Sequence, residues 1–243
     1  MSGSVKLRKG EFEGVQFLRW VLMLIIASRA AGIRELDRGR LHALLFQSFA
    51  SSLFYGIKPL RQRAKRTSHG PYYRAAHIAV GKLVLSGLVS LEDYQPLDHK
   101  RDIQFDGRLF PTADGLKVVH ALRETQTGDR IYRFLLDLCL GTVHAVHIEE
   151  DKASSEDESE PEALEQLEVF AQANIDRILS TDLSYQQARK KNDKLLPIVD
   201  SPDGKPLTVR GLEDVEGAFD DSQNINRRDV LMAYQYLLSR RVA

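Results

Sequence analysis

Apolar side chains recur along most of this chain with a helical rather than a strand period. Over Glu13–Ala30, Val15, Leu18, Leu22 and Ile25/Ile26 share one stripe, flanked by further apolar residues, which predicts a helix buried on most sides. Asp37 is placed to cap a second helix over Arg38–Tyr55, where Leu41, Leu45, Phe49 and Leu53 recur every fourth residue and Gly56 gives the stop. A third helix is predicted from Pro71, whose missing N–H costs nothing at a first helical position, to Gly87. A fourth starts after Thr112, with Asp114 in its first turn, and a strongly apolar fifth covers about Asp129–His144. Farther on come a helix over Ala163–Leu179, a hairpin in which Leu195–Val199 and Leu207–Arg210 flank a turn at Ser201–Gly204, and a closing helix from near Asn226. That last helix carries Val230, Leu231, Tyr234, Leu237 and Leu238 on one stripe.

Between the third and fourth helices the pattern changes to strands. Val89–Tyr94 reads as one strand, Asp98–Arg101 as a polar tip containing Lys100 and Arg101, and Ile103–Phe105 with Arg108–Phe110 as return segments around a tight turn at Asp106-Gly107. The third helix has two unlike faces. Ala76, Ala79, Val80 and Leu83 lie together, while Arg74, His77, Ile78, Gly81 and Lys82 lie opposite. A small-residue face lets a helix sit close to its scaffold while basic side chains reach phosphates or base edges. The same basic face is equally readable as a solvated one. Just upstream, between Gly56 and Gly70, lie Arg61, Arg63, Lys65 and Arg66, further candidates for gripping a nucleic-acid backbone.

Helix, Gly-Leu-Val, hairpin, then a Thr-x-x-Gly helix start over residues 68–122 resembles the winged-helix pattern of MarR- and PadR-type proteins. The resemblance implies a recognition helix followed by a two-stranded wing. The basic stretch 57–69 departs from it, standing where those families have the first helix of the helix-turn-helix. The predicted fold is mainly α with a small β wing: a winged helix-turn-helix body plus a helical C-terminal arm.

Composition divides the chain. Glu149–Glu162 holds eight carboxylates in fourteen residues and no large apolar side chain, so it is expected to be a linker between a body over 1–148 and a loop-rich docking arm over 163–243. The net charge of zero conceals 22 Lys/Arg against 15 Asp/Glu in residues 1–150 and 12 against 19 afterwards, placing any polyanion-binding surface in the first part. The strongest apolar run, Trp20–Ala27, is too short to span a bilayer. With a single cysteine, Cys139, no internal disulfide can form, and a cytoplasmic, membrane-free protein is expected.

No catalytic constellation is legible. Phosphate-binding, dinucleotide-binding and nucleophile-elbow motifs are absent from the sequence. His144 and His147, with Glu149 and Glu150, mimic a metal cluster but lack partners of fitting spacing, so neither metal nor cofactor is expected. Ser154, Ser155 and Ser159, set among acids, read as a solubilising linker or as phosphorylation sites. Across its length the chain is similar, in size and order of modules, to the middle components of three-component bacterial (antiphage) defence systems. That resemblance implies a non-catalytic adaptor bridging an SMC-like ATPase and an effector, often a nuclease, with DNA as a further partner. The closing-helix stripe (Val230, Leu231, Tyr234, Leu237 and Leu238) would then be the partner-binding surface, since an arm of about 80 residues is thin for a core of its own. The alternative is a homodimeric winged-helix transcriptional repressor, with the helices at Glu13–Ala30 and Asp129–His144 forming the dimer interface.

Overall fold

The computed structural model describes residues 9–60, 63–68, 70–97, 104–150, 174–191, 194–196, 204–219 and 225–241. They are mainly helical with a small antiparallel β component. Helix α1 (Lys9–Ala30) runs through the middle of the body, and every residue from Trp20 to Ser28 is buried, as a run without a polar face requires. Trp20 anchors it to the next helix, its indole N–H donating to Ser48 Oγ at 3.0 Å. Helix α2 (Arg38–Ser51) opens on the expected cap, Asp37 accepting from the Arg40 amide at 2.8 Å, and continues as a 3-10 turn over Ser52–Tyr55 to a left-handed Gly56. The main core joins Phe17, Trp20, Phe49, Tyr73 and Phe134, whose rings meet at tilted or edge-on angles.

Strand β1 (Ala64–Thr67) and β2 (Gly70–Tyr72) follow, then α3 (Arg74–Leu85), β3 (Val89–Leu97), β4 (Gln104–Pro111), α4 (Ala113–Arg123) and α5 (Gln126–Glu150). Pro71 therefore lies on a strand, not at the start of a helix. The third helix begins three residues later, because Gly70 and Pro71 pair with Thr67 and Arg66 of β1. The pair β3–β4 runs in register from Val89↔Pro111 to Leu97↔Gln104, with an irregularity between Glu92 and Gln95 and Asp93 at φ 51°. No turn forms at Asp106-Gly107; both residues continue β4, and residues 98–103 lie outside the described residues. An isolated bridge, Leu36↔Leu109, ties β4 to the segment before α2.

Helices α4 and α5 start alike. Thr112 Oγ1 accepts from Gly115 N and Thr125 Oγ1 from Gly128 N, both at 3.1 Å. The fifth helix thus begins at Gln126, a turn before the apolar pattern places it, since Thr125 supplies a cap.

The C-terminal part comprises the helical stretch 174–181 (α6), α7 (Leu183–Lys190), β5 (Leu195–Leu196), α8 (Leu207–Gly217) and α9 (Arg227–Arg240). Of the expected acidic linker, 151–162 lies outside the described residues, as does 163–173 of the helix predicted after it. Two expectations are corrected. Leu207–Arg210 is the start of a helix, because Thr208, Val209 and Leu212 turn inward together after Pro206; Leu195–Leu196 pairs instead with β1. The stripe on α9 is not a surface for another chain: Val230, Leu231, Tyr234 and Leu238 are buried in a core shared with Phe54, Leu138, Ile178, Val209 and Leu212, and of the five only Leu237 is exposed. Helices α5 and α9 cross closely at Gly141, where Gln235 Nε2 donates to Leu138 O at 3.0 Å. The apolar faces of α1 and α5 are likewise covered within the chain, Phe134, Leu135, Leu138 and Cys139 all being buried, so these faces are not left open for the dimer interface expected of them.

Candidate nucleic-acid interface

The best-formed candidate is the outer face of α3. Ala76, Ala79, Val80 and Leu83 are buried against the body, and the opposite side presents Arg74, Ile78 and Lys82 to solvent with His77 half-buried beside them. This is the division of faces expected from the residue pattern. The entry of α3 is fixed by a buried histidine: the Tyr73 amide donates to His42 Nδ1 at 3.1 Å, and the imidazole lies against the rings of Tyr72 and Tyr73. Burial, then the nearby Arg38 and His77, push the His42 pKa down to about 3, so the ring stays neutral and keeps its acceptor nitrogen. The cavity between α2, α3 and the hairpin, lined by Arg38, His42, His77 and Leu91, measures about 10 Å³ and has no room for an organic ligand.

The β3–β4 hairpin is braced to the body. Arg108 on β4 pairs with Glu35, just before α2, and with Asp93 at the irregularity of β3. Next to Asp93, Tyr94 is exposed. Lys100 and Arg101, placed at the hairpin tip by the sequence, and Arg61 lie outside the described residues.

Arg63, Lys65 and Arg66 are exposed on and beside β1. The sheet order is β2-β1-β5, and β2 leads through Tyr73 directly into α3, so the basic stretch and the basic helix are attached to opposite ends of one short connection. The fold also brings in residues that charge counting assigns to an acidic half. Arg189 at the end of α7 and Lys194 before β5 lie alongside β1. A local signal exists in Arg189-Lys190-Lys191, but only the β1–β5 pairing gives it a place.

Among the described residues no group of three or more His, Cys, Asp or Glu is placed to hold a metal ion. His144 is exposed, and the side chains of His147, Glu149 and Glu150 lie outside the described set, as do Ser154, Ser155 and Ser159. Cys139 is buried, and burial pushes its thiol above the ordinary range, away from the reactive thiolate. No described helix is long and apolar enough to cross a membrane. No family model matches the chain, and no curated protein or solved structure matches it.

Proposed function

We propose that this chain is a non-catalytic winged-helix subunit of a DNA-acting complex, contacting DNA through α3. The observation that carries the reading is the outer face of α3, where Arg74, Ile78 and Lys82 stand one turn apart on a helix whose other face is anchored in the core. The order of elements supports it: α1, the Leu36 bridge, α2, α3, the β3–β4 hairpin and α4 follow one another as in a winged helix, with β1–β2 inserted before the recognition helix. The adaptor part of the reading, with an SMC-like ATPase and an effector as protein partners, rests on the whole-chain resemblance. Its docking surface is not the α9 stripe, which the chain's own core occupies.

The test is duplex binding by the full chain across a salt series. Reversing Arg74 and Lys82 to Glu should weaken binding and lower the log–log salt slope by about 0.9 for each phosphate no longer neutralised. Unchanged affinity and slope would remove α3 as the DNA-binding face. For the adaptor part, isolation at native expression should recover a long coiled-coil ATPase; recovery of the chain alone would count against it.

A further inference from the structure

A second basic surface is assembled from two segments that lie far apart in sequence. Arg66 N donates to Lys194 O at 2.9 Å, and Arg66 Nη1 to Arg189 O at 3.1 Å. Ala64 and Lys65 pair with Leu196 and Leu195. Adjacent strands lie about 5 Å apart, so these bonds bring Arg66, Arg189 and Lys194 together where β1, the end of α7 and the start of β5 meet; Arg63, Lys65 and Lys190 are their neighbours in sequence, Lys65 projecting from the opposite face of β1 to Arg66. All six side chains are exposed, and among the described residues none of the six forms an ion pair with a carboxylate, whereas Arg40, Arg108, Arg123 and Arg133 each do. Arg66 and Arg189 both act on the Tyr185 hydroxyl electrostatically, and the Arg189 guanidinium sits 5.9 Å from the Tyr185 ring centroid. An open cleft of about 560 Å³ is lined by Arg66 and Arg189 together with Thr67, Tyr185, the Asp37–Arg40 pair and Asp176.

We infer that the surface where β1, α7 and β5 meet is a nucleic-acid backbone surface distinct from α3, to which the C-terminal part contributes Arg189, Lys190 and Lys194. Cations held this close together repel one another, and a polyanion that releases its counterions on them relieves that repulsion. Duplex DNA is the occupant the placement favours. Strand β1 leads through β2 and Tyr73 into α3, which places the basic strand and Arg74 on adjoining elements of the chain. The inference rests on the reading of the chain as a DNA-contacting protein and adds a second surface to it.

The experiment uses the full chain and a mixed-sequence duplex, comparing Arg189→Ala/Lys190→Ala/Lys194→Ala with Arg74→Glu/Lys82→Glu. The triple variant should keep the wild-type melting curve, because all three side chains are exposed. Its log–log salt slope should fall by about 2 to 3, with affinity weakened roughly 100- to 1,000-fold near about 100 mM salt. Amine labelling should show Lys190 and Lys194 protected when duplex is bound. If the slope falls in the α3 variant and not in the triple variant, the sheet surface is wrong and α3 stands. The reverse pattern supports the sheet surface and removes α3. Absence of any duplex binding by the wild type at low salt overturns both, and unprotected lysines in the bound state overturn the sheet surface alone.

Discussion

Asp182 caps α7 with a carboxylate buried among the elements of the C-terminal part. It accepts from Tyr185 N at 3.0 Å and from Thr208 Oγ1 at 2.8 and 3.0 Å, and Thr208 in turn lies 2.7 Å from Ser184 Oγ. These bonds favour the charged form, yet burial outweighs them and pushes the pKa up to about 6 from 3.8. An acid whose folded pKa is raised binds more protons folded than unfolded between those two values. Its contribution is therefore most favourable below about pH 4, falls as pH rises through the window, and above about pH 6 leaves a cost on the order of 3 kcal/mol. D182N keeps an acceptor for the Tyr185 amide and can donate to Thr208 without the charge. Urea unfolding should find D182N more stable than wild type near neutral pH and the difference shrinking towards about pH 4. A constant difference across that range would mean that the carboxylate does not titrate there.

The starts of α4 and α5 show how a short motif sets an element. At Thr112-x-x-Gly115 the hydroxyl caps the helix, and the glycine lets the previous segment pass: a Cβ on Gly115 would stand 2.1 Å from the Leu88 carbonyl oxygen. Neither group is the flexible end of a side chain, so Gly115→Ala must move α4 away from the hairpin base. A destabilisation of about 1 to 3 kcal/mol in denaturant unfolding is expected, and a cost near zero would mean that α4 is free to shift. The Thr112 start is legible in the sequence because strand material runs straight into it, while the identical Thr125 start is hidden by its closeness to the helix before. The long helices, their caps at Asp37 and Asn226, and the two faces of α3 are legible because each is written in neighbouring residues. Strands β1 and β2 are not. Ala-Lys-Arg-Thr and Gly-Pro-Tyr carry no alternating apolar pattern; they exist as strands because they pair with each other and because Leu195–Leu196, about 130 residues on, pairs with the other side of β1. The same long-range pairing keeps Arg189 and Lys194 out of any site read from the sequence.

At the scale of the molecule, one helix decides whether the two parts are independent. The sequence suggests an arm that could be loosened without disturbing the body, but Tyr234 and Leu238 are both buried in the core that α9 shares with Phe54 and Leu138. Removing a buried leucine side chain alone costs about 2 to 5 kcal/mol, and a change of about 1 kcal/mol moves the melting temperature of a protein this size by about 2 to 4 °C. Tyr234→Ala with Leu238→Ala should therefore lower the melting temperature by roughly 10 °C or more, as one cooperative shift monitored at Trp20 in the body. A transition at Trp20 that stays in place would restore the separate arm.

That packing also has a consequence in time. The face of α5 that receives Gln235 lies 97 residues earlier in the chain. At roughly 5–20 residues per second on the ribosome, Leu138 and Thr142 wait about 5 to 20 s for the helix that covers them. During that interval the nascent chain carries an apolar stripe on α5 with its permanent cover still unsynthesised. A chaperone that recognises such stripes would meet this protein at α5 first, and would be displaced when α9 arrives.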